Sequence, residues 1–123
     1  MLSLINTVKQ FGKSTSNKTK PNALVIGDVM LDRYVMGEVG RISPEAPVPV
    51  VLIKTEEARA GGAANVAANL ALLGINTQLI GCVGLDAESK SLSQLIKKTG
   101  VKASLITSKT RPTIAKTRIL GGH

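Results

Sequence analysis

The chain has 123 residues, a length typical of one domain, and with one Tyr, one Phe and no Trp its core must be aliphatic. Its formal net charge of +8 does not indicate a nucleic-acid partner. The basic residues concentrate in residues 1–20 and 97–123, with neither a recognition helix nor a series of interleaved aromatic side chains. No apolar run is long enough to span a bilayer, so no membrane partner is expected.

The first twenty residues differ from the rest of the chain. Apolar residues recur at helical spacing up to Phe11, and a polar run follows over residues 12–20. The pattern favours a short amphipathic helix and a linker over residues 1–20, outside a domain formed by residues 21–123. An organellar transit peptide is the alternative, because the segment is basic and rich in hydroxyls, but its lack of arginine disfavours this.

A short apolar run, Ala23–Ile26, predicts a buried parallel strand that ends in a turn at Gly27-Asp28. Asp28 and Asp32 are then expected beyond the carboxyl end of this strand, where open α/β sheets form their ligand crevice. The competing interpretation is that the two acids form a turn or cap a helix.

The pattern changes between Arg33 and Glu57. Tyr34–Gly37 and Val48–Lys54 predict strands, and the prolines at positions 44, 47 and 49 confine this stretch to an edge because proline donates no ladder hydrogen bond. We therefore expect a small sheet or flap over about residues 33–57, standing off the main domain.

Gly61-Gly62 opens a predicted helix of small and apolar residues that Gly74 ends. Because the helix is apolar nearly all round, we expect it to be buried. Its first turn would offer unpaired backbone N–H groups to a polar ligand, and Asn65 and Asn69 would lie on one face.

The second half of the chain alternates strand and helix patterns. Thr77–Gly84 predicts a buried strand, and its Cys82, the single cysteine, is expected to be buried in a protein of a reducing compartment. Asp86 caps a predicted helix over Ala87–Thr99, with an apolar stripe of Leu92, Leu95 and Ile96.

Two further strands are predicted, Lys102–Thr107 and Thr113–Leu120. The order of the elements predicts an α/β fold with a mostly parallel sheet flanked by helices.

Acids after a strand, a detached flap and a glycine-opened helix together describe a cup that binds hydroxyls. Carboxylates and asparagines can bond to several hydroxyls of a polyol at once. No dinucleotide or P-loop glycine motif is present. With one Cys and one His, His123, neither a zinc site nor a catalytic triad is expected, and we predict no metal ligands.

The run Gly61-Gly62-Ala63-Ala64-Asn65-Val66-Ala67, followed by Gly74 and Gly84, resembles the N-terminal signature of the ribokinase-like (PfkB) sugar kinases. A narrower resemblance is to the kinase domain of the bacterial bifunctional ADP-heptose synthesis proteins. It rests on residues 27–34, 41–50 and 112–118, within a match over about residues 23–120.

The resemblance implies a ribokinase-like fold with a β lid and phosphorylation, dependent on ATP and Mg²⁺, of the anomeric hydroxyl of D-glycero-β-D-manno-heptose 7-phosphate. This reaction gives the 1,7-bisphosphate, a step toward ADP-heptose and the lipopolysaccharide core in the cytoplasm. A homodimer through the lid sheet is also expected. The alternatives are another PfkB sugar or nucleoside kinase and a non-catalytic paralogue that binds a sugar phosphate.

The resemblance also implies site residues. Asp32, Gly61, Gly62 and Asn65 match positions where the family binds sugar, and Asp28 is a secondary candidate. Charge and expected nearness to the flap select candidates for the substrate phosphate: Arg41, Lys54, Lys116 and Arg118.

No catalytic residue is expected in this chain, because the family's nucleotide-binding segment and catalytic base come later. ATP and Mg²⁺ would therefore bind mainly through groups that are not in this sequence. We expect an incomplete domain that is inactive alone, since it lacks most of its catalytic positioning. We also expect poor solubility, with the last strand left as an open apolar edge.

Overall fold

A computed structural model describes residues 20–122. Within this range the chain forms eight elements, which are β1 (Asn22–Ile26), β2 (Val29–Ile42), β3 (Pro49–Gly62), α1 (Ala63–Leu72), β4 (Asn76–Val83), α2 (Ala87–Lys97), β5 (Lys102–Thr107) and β6 (Ile114–Gly122). The predicted N-terminal helix and most of its linker lie outside the described residues.

The first sheet has the strand order β1-β4-β5 and is parallel throughout. Both helices contribute to the core beside it, in which the largest fully buried side chains are Val29, Leu31, Leu79, Leu92 and Ile96. A parallel sheet with packed helices confirms the predicted α/β fold.

The second sheet has the order β3-β2-β6. β2 and β3 form a long antiparallel hairpin, whose pairing shifts at Met36/Gly37 and again at Val39/Arg41. β3 is an edge strand that begins at Pro49, which agrees with the edge position that the prolines predicted. The paired strands extend beyond residues 33–57 at both ends.

β6 is an edge strand of the second sheet, and with Ile119 and Leu120 62% and 51% exposed it is the open apolar edge that the sequence predicted for the last strand. It pairs with β2 in parallel, from Met30↔Ile114 to Glu38↔Gly122. Alternation along a strand predicts its two faces but not its partner, so the sequence did not show that β6 pairs with β2. The open edges of the first sheet are accordingly β1 and β5.

β1 is parallel as predicted but is not buried, since Leu24 and Ile26 are 56% and 69% exposed.

Two further burial predictions were wrong. α1 buries only Ala64 and Ala67 fully, whereas Val66 and Leu72 are 51% and 67% exposed, because only one side of the helix is covered within residues 20–122. Cys82 is exposed, because Leu79 and Val83 face the core and side chains alternate along a strand.

α2 confirms its prediction. Asp86 is the N-cap and accepts a hydrogen bond of 2.9 Å from the backbone N of Ser89, while Leu92 and Ile96 are buried. The helix ends at Lys97, two residues earlier than predicted. No helix within residues 20–122 has both the length and the apolar character needed to cross a membrane.

Candidate functional site

Asp32 lies inside the second sheet, not at the carboxyl end of β1. β1 ends at Ile26, a turn follows at Gly27-Asp28, and Asp32 is the fourth residue of β2. Neither acid caps a helix. The strand register places Asp32 between Arg59 of β3 and Lys116 of β6.

The two faces of β2 have different environments. Leu31 and Val35 are buried in the core, so the alternating residues point to the opposite, open face. We call this the Asp32 face, and the register assigns to it Met30, Asp32, Tyr34 and Met36 of β2, Glu57, Arg59 and Gly61 of β3, and Lys116 and Arg118 of β6.

The carboxylate of Asp32 is bonded through one oxygen to Arg118, and its other oxygen lies against Gly61. Its Oδ1 accepts a hydrogen bond of 3.0 Å from Arg118 Nη1, and its side chain is only 19% exposed. A Cβ at Gly61 would collide with Asp32 Oδ2 and lie 2.8 Å from Met30 Cγ. Glycine at position 61 therefore makes room for the Asp32 carboxylate itself.

Tyr34 lies between two guanidinium groups. The ring centre is 5.0 Å from Cζ of Arg118 and 5.2 Å from Cζ of Arg59, within the range of a cation–π contact. Arg59 also donates a hydrogen bond of 3.0 Å to Glu57. The sequence did not identify Tyr34 or Arg59 as site residues. For Tyr34 a signal existed, because it is two positions from Asp32 and alternate residues of a strand share a face.

Gly62 connects β3 to α1. It is the N-cap of α1 with a φ of 61°, a backbone conformation that favours glycine, and a Cβ there would collide with the carbonyl oxygen of Asp28. That oxygen accepts a hydrogen bond of 2.8 Å from the backbone N of Ala63. The first N–H of α1 is thus satisfied by the protein. Asn65, in the first turn, is exposed, as is Asn69.

The four candidate cations for a phosphate separate into two pairs. Lys116 and Arg118 lie on the Asp32 face. Lys54 contacts Glu38 at 3.4 Å and precedes Arg59 by five residues, about 16 Å along an extended strand. Arg41 is nine residues beyond Asp32, which corresponds to about 30 Å. The fold does not bring Arg41 and Lys54 to Asp32.

The first turn of α2 connects to two strands of the second sheet. Asp86 accepts hydrogen bonds from the backbone N and Oγ1 of Thr113, at 2.8 and 2.6 Å, just before β6 begins. Thr113 Oγ1 in turn accepts from the backbone N of Gly84 at 2.8 Å. Glu88 accepts a hydrogen bond of 3.1 Å from Arg33 of β2.

These contacts hold the start of β6 in position relative to β2. They therefore help to determine which residues of the two strands lie side by side on the Asp32 face. The hydrogen bonds from Thr113, first among them that from its hydroxyl, lower the pKa of Asp86 from the ordinary value of 3.8. The sequence predicted the cap but not the role of Thr113, because a contact across 27 positions leaves no local pattern.

The described residues do not fit ATP or Mg²⁺. No three His, Cys, Asp or Glu side chains cluster as a metal site within residues 20–122. A cleft of about 510 Å³ at the amino ends of β1 and β4 has no carboxylate among its lining residues, and it lies opposite the strand ends at which α/β sheets bind ligands.

Residues 20–123 match the family model described as pfkB family carbohydrate kinase. The chain belongs to this family. Similar proteins include Bifunctional protein HldE of Methylobacillus flagellatus, 62% identical over 101 residues that cover 81% of this chain and 21% of the relative. The protein of the same name from Proteus mirabilis is 54% identical, covering 82% of this chain and 21% of its own. The chain thus spans about a fifth of the length of these curated relatives.

Solved structures confirm the ribokinase-like fold. A carbohydrate kinase from Agrobacterium tumefaciens matches with a TM-score of 0.67 and 29% identity, over 84% of this chain and 32% of that one. Arabidopsis thaliana ribokinase, solved with ribose and ATP, matches with a TM-score of 0.63 and 28% identity, over 84% and 33%. The chain corresponds to about a third of the length of those structures.

Proposed function

We propose that this chain forms the acceptor-sugar part of an ATP-dependent carbohydrate kinase whose substrate is D-glycero-β-D-manno-heptose 7-phosphate. The observation that carries the proposal is the Asp32 carboxylate, which is bonded to Arg118 on one side and bordered by the bare backbone of Gly61 on the other. The identity of 62% to a Bifunctional protein HldE supports the heptose substrate. The product would be the 1,7-bisphosphate, made in the cytoplasm on the route to ADP-heptose and the lipopolysaccharide core.

The geometry suits positioning of a polyol. A carboxylate accepts hydrogen bonds from hydroxyls, and Asp32 can do so at Oδ2 while Arg118 fixes its orientation through Oδ1. Gly61 leaves room for the carboxylate of Asp32 against the backbone, and the exposed amide of Asn65 can both donate and accept. Fixing the reacting hydroxyl in this way would lower the entropic part of the barrier to phosphoryl transfer.

ATP and Mg²⁺ are proposed to bind through groups outside residues 20–122, since this range provides neither a phosphate loop nor clustered carboxylates. When bound, ATP supplies the phosphoryl group and Mg²⁺ offsets its negative charge. We therefore propose that the 123-residue chain binds the sugar phosphate without turning over ATP.

Calorimetry on the 123-residue chain tests the substrate assignment. Heptose 7-phosphate should bind more tightly than ribose or fructose 6-phosphate, and D32A should weaken its binding by about tenfold or more, because a buried charged hydrogen bond is lost. Tighter binding of ribose or fructose 6-phosphate would favour another pfkB kinase. ATP consumption that depends on the heptose phosphate would contradict the proposed inactivity.

The coding sequence that follows His123 separates a kinase from a binding paralogue. A glycine-rich segment ending in Gly-Asp would supply the family's expected anion hole and base, and would support the kinase. Its replacement by an unrelated sequence would favour a protein that binds a sugar phosphate without chemistry.

A homodimer through the second sheet is part of the proposal. β3 is an edge strand, and Leu52 and Ile53 near its start are 62% and 58% exposed. Such an edge can pair with a second copy and cover its apolar side chains. Sedimentation velocity should show a dimer that a proline at Leu52 weakens; a monomer at high concentration would contradict it.

A further inference from the structure

We infer that Lys116 binds the phosphate of the substrate and determines the preference for phosphorylated sugars, whereas Arg118 positions Asp32. The inference rests on the proposed function, because it assigns separate roles to two cations beside the same acceptor carboxylate. Both residues lie on β6, two positions apart, and both point to the Asp32 face.

Two of the three cations on the Asp32 face are already engaged. Arg118 bonds Asp32 at 3.0 Å and makes a cation–π contact with Tyr34, while Arg59 bonds Glu57 at 3.0 Å and makes a cation–π contact with the same ring. A guanidinium that contacts both a carboxylate and an aromatic ring holds those two groups in position. The ion pair of each arginine offsets its charge, so both attract a further anion less strongly than an unpaired cation on the same face would.

Lys116 is the cation left over. It is exposed and makes no hydrogen bond or ion pair with any other residue in the described range 20–122. The face carries three cations and two carboxylates, Asp32 and Glu57, so its formal charge is +1, and Lys116 is the uncompensated group. An anionic substituent placed over this face would be attracted to the Lys116 ammonium.

The register puts Lys116 directly beside Asp32. The two residues are lateral partners in the parallel pair β2–β6, and neighbouring strands are about 4.8 Å apart. A sugar whose hydroxyls bond Asp32 therefore lies within reach of the Lys116 side chain. The lysine ammonium stands at the end of a flexible four-carbon stem, so it can follow a phosphate above the sheet while the Asp32–Arg118 contact stays in place.

The two roles have different consequences for binding. Without Arg118, the carboxylate of Asp32 loses its fixed orientation, and every sugar that uses Asp32 should bind less well. Without Lys116, only sugars that carry a phosphate should lose affinity, because only they form the charge-assisted hydrogen bond. Affinity for a sugar and for its own phosphate ester therefore separates a specificity residue from a positioning residue.

The experiment is calorimetric titration of the 123-residue chain with D-glycero-β-D-manno-heptose 7-phosphate and with the same heptose lacking phosphate. The variants are K116A, K116R and R118M, with K102A as the matched control, since Lys102 is an exposed strand lysine of the first sheet. Circular dichroism checks that each variant keeps the fold of the wild-type chain.

In K116A, binding of the 7-phosphate should weaken by about tenfold or more, with binding of the unphosphorylated heptose unchanged within about twofold. K116R should restore most of the preference, R118M should weaken both ligands to a similar extent, and K102A should change neither. Equal losses for both ligands in K116A, or loss of the phosphate preference in R118M alone, would overturn the assignment.

Failure of the proposed function would look different. If the wild-type chain binds the heptose and its phosphate with equal affinity, the assignment of Lys116 is wrong while the sugar site stands. If the wild-type chain binds neither ligand, the acceptor-sugar site is itself contradicted and the assignment of Lys116 is contradicted with it.

Discussion

Arg118 and Asp32 are separated by 86 positions in the chain, yet Nη1 of the arginine donates to Oδ1 of the aspartate at 3.0 Å. Both side chains are partly shielded, with exposures of 37% and 19%. The pair joins β6 to β2 across the open face of the second sheet, and it gives the acceptor carboxylate a defined orientation before any ligand arrives.

A double-mutant cycle with D32N and R118M should give a coupling free energy of about 0.5–1 kcal/mol, a modest value because solvent screens the pair in part. Urea denaturation of the four proteins measures it. The exposed pair Lys54–Glu38, at 3.4 Å, is the control and should give a coupling close to zero. Equal coupling in the two pairs would show that partial burial adds nothing to the Asp32–Arg118 contact.

Gly61→Ala should impair sugar binding. The added Cβ would displace the carboxylate of Asp32 or the side chain of Met30, so affinity for heptose 7-phosphate should fall by about tenfold. Gly40→Ala is the matched control, because a Cβ there has no heavy atom within 4 Å. Calorimetry of both variants checks the result, and an unchanged affinity in Gly61→Ala would mean that Asp32 does not hold the sugar.

Thr113→Val should destabilise the fold by about 1–3 kcal/mol, because the backbone N–H of Gly84 loses its acceptor in a buried position. The exposed Thr107 of β5 offers the control Thr107→Val, which should stay within about 0.5 kcal/mol of the wild-type chain. Urea denaturation near neutral pH compares the three proteins. A similar loss of stability in both variants would show that the hydrogen bond to Gly84 is not the cause.

Acid should weaken the same contact. The pKa of Asp86 is lower in the folded chain than its ordinary value of 3.8, so its stabilisation is complete above that pH and is lost as pH falls through the lowered pKa. The difference in stability between the wild-type chain and Asp86→Asn should therefore shrink on acidification. Denaturation curves recorded from about pH 6 downward measure this difference. A constant difference would contradict it.

The uncovered face of the first sheet should drive self-association. Ile26 and Ile106 are 69% and 63% exposed, and β5 is an open edge. Ile106→Lys should raise the fraction of non-aggregated chain in sedimentation velocity. Ser104→Lys, two residues earlier on the same strand, adds the same charge without removing apolar surface and should help less. Equal effects would assign the improvement to charge alone.

Local patterns in the sequence predicted the features that depend on neighbouring residues. The cap at Asp86 and the stripe through Leu92 and Ile96 were visible because a helix repeats every 3.6 residues. The edge position of β3 followed from its prolines. The signature around Gly61 and Gly62 was enough to place the chain in the pfkB family, which its match over residues 20–123 confirms.

Features that depend on the pairing of distant strands could not be predicted. The stack of Arg59, Tyr34 and Arg118 exists only because β3 and β6 flank β2 in one register, and a shift by one residue would turn each side chain to the other face. The exposure of Cys82 likewise depends on which face of β4 meets the helices. Amino-acid composition does not distinguish one strand register, or one orientation of β4, from the other.

The parallel pairing of β2 with β6 has a consequence for the order of folding. Met30 pairs with Ile114, a separation of 84 positions, whereas the β2–β3 hairpin closes through a short loop. Contacts so distant along the chain form slowly, and during synthesis they must wait until the later strand has left the ribosome. The hairpin can form early, but Asp32 gains its arginine only at the end, so the sugar site should be the last part of this region to mature.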